Sequence, residues 1–183
     1  MKLIRTELRP LLDQVINIEV RNQPFLCSPF HQQPSYHCHP EPELVYIVKG
    51  YGKRLVGNSS EVFGPGDMVF LGPNVAHVWL SDPIFYKENA PESCEVIVSH
   101  FKHEYLQMLC AAKELDAIRK MLLQSTQGFT IHGLTKNRIA HLITPKGDLN
   151  GYERVDLLLK LMHEISSSEE KNVIVNNDYL SVS

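Results

Sequence analysis

The sequence predicts an α+β protein whose first part is a β-sandwich or barrel and whose second part is helical. Two observations carry this. Between Leu44 and Phe101, short apolar runs alternate with turn residues: Gly50, Gly57-Asn58-Ser59-Ser60, Gly64-Pro65-Gly66-Asp67 and Gly72-Pro73-Asn74. Closely spaced strands with turns between them suit a sandwich or barrel, whereas βαβ units need a helical stretch after each strand. After about His103 the apolar positions recur at helical spacing instead.

Taken in order, residues 11–20 alternate around Val15, Ile16, Ile18 and Val20 and read as an early strand or arm. Residues 21–34, rich in Pro, Gln and Ser, read as loop. Strands are expected over 44–49, 51–56, 61–63, 68–71, 76–80 and 95–101, with 81–93 a polar, proline-containing surface loop. In 113–124, Leu115, Ile118 and Leu122 fall on one helical face, with Gly128 as a stop. Residues 129–131 read as a short extended piece. A helix over 136–143 is expected to start at Thr135 as N-cap and to end at Thr144-Pro145. The longest helix is expected over 151–165, with Val155, Leu158, Leu159, Met162 and Ile165 on one face. The remainder, 166–183, is polar apart from 173–175.

Composition excludes several functional classes. A chain of 183 residues can bury one sizeable core. Lys+Arg 18 against Asp+Glu 21 gives a formal net charge of -3, which argues against nucleic-acid binding by this chain alone, because phosphate neutralisation needs concentrated positive charge. The amino-terminal residues are broken by Lys2, Arg5, Glu7 and Arg9 and lack the apolar core of a signal peptide. No apolar run approaches membrane-spanning length. The cysteines Cys27, Cys38, Cys94 and Cys110 are scattered and expected to be reduced thiols. These features predict a soluble cytoplasmic protein.

The chemistry concentrates in His37-Cys38-His39-Pro40-Glu41-Pro42-Glu43-Leu44-Val45-Tyr46-Ile47-Val48-Lys49-Gly50. Side chains of an extended strand alternate faces, so His37, His39 and Glu43 point to one side and Cys38 to the other. Two imidazoles and a carboxylate on one side make part of a metal site or of a polar ligand pocket. A second element follows at Gly66-Asp67-Met68-Val69-Phe70-Leu71-Gly72-Pro73-Asn74-Val75-Ala76-His77.

Together the two elements resemble the paired motifs of the cupin family. His37, His39, Glu43 and Gly50 satisfy the first motif, and Gly66 and His77 fall in register with the second. Gly72 stands at the family's Pro position and Asn74 at its second Gly; Asn tolerates the left-handed backbone conformation that such a turn requires. The resemblance covers roughly residues 30–80. It implies a double-stranded β-helix, a jelly roll with the ligand site at its open end. It further implies that His37, His39, Glu43 and His77 are the metal-binding positions, a donor set suited to one divalent transition metal, Mn, Fe, Ni or Zn. The alternative is that these side chains hydrogen-bond to a polar ligand or to one another.

The surrounding sequence, with Gly72-Pro73-Asn74-Val75-Ala76-His77-Val78-Trp79 and the helical region around Ala117-Ile118-Arg119, resembles the effector-binding domain of AraC-type transcriptional regulators. That resemblance implies residues 1–104 as a cupin effector-binding domain with an amino-terminal arm (1–22) and 105–183 as a helical dimerisation and linker segment. It implies a small-molecule effector such as a sugar, a homodimer, no membrane partner, and DNA contact only through a carboxy-terminal domain missing from this chain. A sensor of this kind is not an enzyme. The competing expectation is a metal-dependent cupin dioxygenase or isomerase, for which Glu41 and Tyr36 are the available acid or base candidates. Trp79 either stacks on a sugar ring or packs the core. One of Lys53 and Arg54 must face inward; an inward Arg54 would clamp a carboxylate or hydroxyl, against the plainer reading of a solvated charge. His100 and His103 read as structural or solvent-facing.

Overall fold

A computed structural model describes residues 3–5, 14–24, 36–87, 89, 93–145 and 147–175. Residues 1–2 and 6–13 of the arm, Cys27, and the tail 176–183 lie outside the described residues.

Two sheets face each other. The five-stranded sheet has the order β1-β3-β8-β5-β6, built from Ile4–Arg5 (β1), His37–Cys38 (β3), Gly52–Val56 (β5), Ser59–Phe63 (β6) and His77–Ser81 (β8). The six-stranded sheet has the order β11-β10-β7-β4-β9-β2, from Ile16–Arg21 (β2), Glu43–Lys49 (β4), Met68–Leu71 (β7), Glu95–Phe101 (β9), Phe129–Ile131 (β10) and Lys171–Val173 (β11). All strand pairs are antiparallel except β1 with β3. The short strands and turns between Leu44 and Phe101 thus form a jelly roll.

The alternation within β4, β7 and β9 divides the buried residues into two cores. Val45, Ile47, Val69, Leu71, Val96 and Val98 point between the sheets and pack with Val56, Phe63 and Trp79. Leu44, Met68, Phe70, Ile97 and Phe101 point the other way, onto a helical layer. That layer consists of His103–Leu109 (α1), Asp116–Gln124 (α2), Gly133–Ile143 (α3) and Gly151–Ser167 (α4). Ile118, Met121, Ile139, Ile143, Leu158, Leu161 and Ile165 are its buried residues.

Several boundaries differ from expectation, for local reasons. Helix α3 starts ahead of Thr135, which is buried inside it, because the Glu170 carboxylate accepts from the Leu134 and Thr135 amides and caps the helix from outside. Helix α4 starts behind Asn150, whose side chain accepts from the Glu153 amide while Glu153 accepts from the Asn150 amide, a reciprocal capping box. The 81–93 loop holds a turn of 3-10 helix, Pro83–Tyr86, that buries Phe85 against Tyr51. Helix α1 and strand β11 lie where no element was expected. Among the described residues no helix is long and apolar enough to cross a membrane, and Cys94 and Cys110 are free thiols.

Candidate functional site

Side chains from four separate segments of the two sheets gather in one cluster. His37 on β3 lies directly opposite His77 on β8, and their rings stand 4.4 Å apart between centroids. Strand β3 ends at Cys38, so His39 arrives not by strand alternation but in the Pro-containing turn before β4. The Asn74 amide fixes that turn by donating to the His39 carbonyl at 2.8 Å, and the Phe101 amide does the same to Pro42 at 3.0 Å. Asn74 adopts φ 60 to do so, the left-handed conformation that Asn tolerates. Glu43 opens β4, where it sits opposite His100 of β9 and Leu71 of β7.

Three imidazoles converge on one oxygen. Glu43 Oε2 lies 3.0 Å from His39 Nε2, 3.3 Å from His100 Nε2 and 3.6 Å from His77 Nε2. All four side chains are buried. His77 Nδ1 donates to the Val75 carbonyl at 2.8 Å, which fixes its tautomer and leaves Nε2 toward the cluster. Burial pushes the Glu43 carboxyl up, but the imidazoles of His100, His39 and His77 around it more than offset this and hold it well below the usual carboxylate range. Burial pushes the His77 imidazole down, more than Glu43 raises it, with His37 and His39 adding to the depression. The site therefore holds an anion beside a His77 imidazole disposed to be neutral, the protonation states that metal ligands need.

The donor atoms are spaced for a metal. His37, His39 and His77 offer nitrogens all within 4.8 Å of one another, and so do the donors of His39, Glu43 and His100. His39 Nδ1 and Glu41 Oε2 are buried without hydrogen bonds and face each other at 3.6 Å, leaving the cluster short of a partner that a bound group would supply. The residues present fit a transition metal on donor chemistry and spacing.

Other expected site residues lie elsewhere. Trp79 is 4% exposed, meets His77 edge-on at 5.4 Å and packs in the inter-sheet core. Arg54 does not belong to the cluster. It faces inward opposite Trp79, but its guanidinium is bound to Asp67 and, at 2.6 Å, to Glu61. It lines a groove of about 690 Å³ with Lys136 and His132 rather than the barrel mouth. The reading of Arg54 as a solvated charge is corrected too, since it is 3% exposed; Lys53 takes the outward position. Tyr36 donates to the Gly57 carbonyl at 2.8 Å. His100, expected to be structural or solvent-facing, is 5% exposed and inside the cluster. Its even spacing with Val96 and Val98 was a visible signal of an inward face; its meeting with Glu43 depends on a strand register that one sequence does not display.

No protein-family model matches the sequence, and no curated protein does. Among solved structures, ToxT from Vibrio cholerae strain SCE256 with an unsaturated fatty acid bound aligns at TM-score 0.50 and 13% identity, over 88% of this chain and 57% of that one. The AraC-like transcriptional activator CuxR aligns at 0.44 and 11%, over 70% of this chain and 42% of that one. An RmlC-like cupin from Shewanella frigidimarina aligns at 0.35 and 17%, over 48% of this chain and 67% of that one. This chain thus spans little more than half the length of ToxT. Its fold is a jelly roll carrying a helical layer, an arrangement it shares with ToxT.

Proposed function

We propose that this chain is the ligand-sensing domain of an AraC-type transcriptional regulator, with the barrel mouth as its effector pocket. The single observation that carries the reading is the convergence of half-buried His37 with buried His39, Glu43 and His77. Five titratable side chains, counting His100, suit a hydroxyl-rich or charged metabolite such as a sugar better than the fatty acid held by ToxT. Trp79, edge-on to His77 beneath the cluster, supplies the apolar floor. The fold shared with ToxT includes the helical layer as well as the barrel, which supports a regulator over a bare jelly roll.

In this reading residues 1–104 bind the effector and 105–183 carry dimerisation, with Met108 and Leu123 exposed on α1 and α2 as apolar contact candidates. DNA is read by a separate domain of the full protein, in keeping with the net charge of -3. The protein acts in the cytoplasm. His37, His39, Glu43 and His77 would hold a divalent transition metal (Mn, Fe, Ni or Zn), which when bound supplies a Lewis-acid anchor for an effector oxygen. The chain's own residues orient the effector by hydrogen bonds and exclude water. The effector switches the dimer only by binding one arrangement more tightly than the other.

A second reading, a metal-dependent cupin enzyme, is favoured by the same donor set and by Glu41, whose carboxylate stands 3.6 Å from His39 as a candidate acid or base. Thermal melts against a panel of sugars, sugar acids and polyols, with and without added metal, separate the two. A ligand-dependent rise in Tm without turnover, abolished in His39→Ala, is expected. Stoichiometric iron or manganese together with conversion of a small substrate would establish the enzyme instead.

A further inference from the structure

The barrel mouth holds two overlapping donor trios, and the cupin motif accounts for only one of them. His37, His39 and His77 form the first; His39, Glu43 and His100 form the second. We propose that His100 is a fifth ligand of the metal, so that His37, His39, Glu43, His77 and His100 make one donor set spanning both sheets. This rests on the metal-binding reading given above.

The register produces the position. His100 and Glu43 are directly opposed on adjacent antiparallel strands, so their side chains leave the same face of the six-stranded sheet. His100 Nε2 then reaches 3.3 Å from Glu43 Oε2, and its ring lies 5.7 Å from that of His39. Metal–nitrogen bonds of about 2.1 Å put ligand atoms about 3–4.2 Å apart around one ion. The 3.0, 3.3 and 3.6 Å separations from Glu43 Oε2 to its three imidazoles fall in that range.

Crowding argues in the same direction. Three Nε2 atoms aim at a single carboxylate oxygen, which has lone pairs for two good hydrogen bonds. A cation among them lets every nitrogen keep a partner. His37 and His77 come from the five-stranded sheet, Glu43 and His100 from the six-stranded one. A metal held by all of them ties the two sheets together at the open end. Five protein donors also leave a six-coordinate ion one free position, where four would leave two. An effector oxygen can take that position, but a chelating substrate plus a second small molecule cannot.

The test uses metal-stripped protein with nitrogen-labelled histidine, loaded with a spin-half isotope of cadmium. Scalar coupling to the metal marks each ligating ring nitrogen. Coupling on His37, His39, His77 and His100 is expected, with loss of only the last in His100→Gln and a fall in cadmium affinity of more than tenfold. Coupling on His37, His39 and His77 but not on His100 overturns the proposal while leaving the metal site standing. A tenfold loss of affinity in the variant without coupling on His100 in the wild type overturns it too, because His100 then acts only by positioning Glu43. Absence of any cadmium uptake refutes the metal reading itself.

Discussion

Replacing Glu43 by Gln removes one charge from the cluster and almost no volume. Charge-assisted hydrogen bonds contribute about 1.5–3 kcal/mol each, and neutral ones about half as much. Glu43 has two imidazoles within 3.3 Å and a third at 3.6 Å. Against that loss stands relief from burying a carboxylate, which is 6% exposed here. The sign follows from its ionisation: the carboxyl is held well below the ordinary carboxylate range although burial pushes it up, so its hydrogen bonds outweigh its desolvation. Glu43→Gln should therefore destabilise the protein in EDTA at neutral pH by about 2 kcal/mol, a fall in Tm of about 4–8 °C for a chain of this size.

The pH dependence provides a second handle. His77 is depressed below its ordinary 6.5, chiefly by burial, so the unfolded chain takes up a proton that the folded one resists. Stability is then lost as pH falls below that value. Glu43 opposes the depression, so the variant should lose stability more steeply between pH 7 and 5, and the gap to wild type should widen there. Glu43's own contribution is present above its ordinary 4.5 and is lost as pH falls further toward its folded value, closing the gap again. Urea melts at several pH values measure this. A variant as stable as wild type in EDTA at neutral pH, or a gap that closes on reaching pH 6, would refute the reasoning.

Gly72→Pro restores the residue usual at that point of the cupin motif, yet it should destabilise by about 3 kcal/mol or more in urea melts. Gly72 donates its amide to the Ser125 carbonyl at 2.9 Å, and a Cβ there would meet Ser125 backbone atoms at 2.6 and 2.7 Å; a cost under 1 kcal/mol would contradict this. Asn74→Val should cost about 1–2 kcal/mol, because φ 60 is strained for a β-branched residue, while Asn74→Gly stays within about 0.5 kcal/mol of wild type. Equal losses in both would place the effect in the Asn side chain. Asn150→Ala removes the α4 cap and should cost about 1 kcal/mol, read as an earlier loss of helical circular dichroism on heating.

The strands of the barrel were legible because turn chemistry is local: each Gly, Asn or Pro cluster bounds a strand regardless of what the strand pairs with. The cluster was legible for a reason that is only half physical. Alternation places His37 and Glu43 correctly on inward faces, but the strand breaks after Cys38, and His39 is delivered by a turn tied to Asn74. What stayed hidden was set by partners distant in sequence. The Glu170 cap that moves the start of α3 lies far beyond it in the chain. The site of Arg54 is decided by Asp67 and Glu61 rather than by the strand it sits on. His100 joins the cluster through the pairing of β9 with β4, which are joined by a long stretch of intervening chain.

That pairing also sets how the barrel mouth is connected to the rest of the molecule. Glu43 and His100 face the site, while their immediate neighbours Leu44 and Phe101 face the helices and are fully buried. Leu44 and Phe101 share one core with Ile139, Leu158, Leu161 and Ile165 of α3 and α4. Strand β2, on the far side of β9, receives the Arg154 guanidinium of α4 on the Ile16 carbonyl. A group bound between the sheets therefore draws on two strands whose opposite faces support the helical layer. Close-packed interiors repack between discrete arrangements rather than yield continuously. Leu44 and Phe101 are thus the layer of side chains that lies between Glu43 and His100 on one face and the helices on the other.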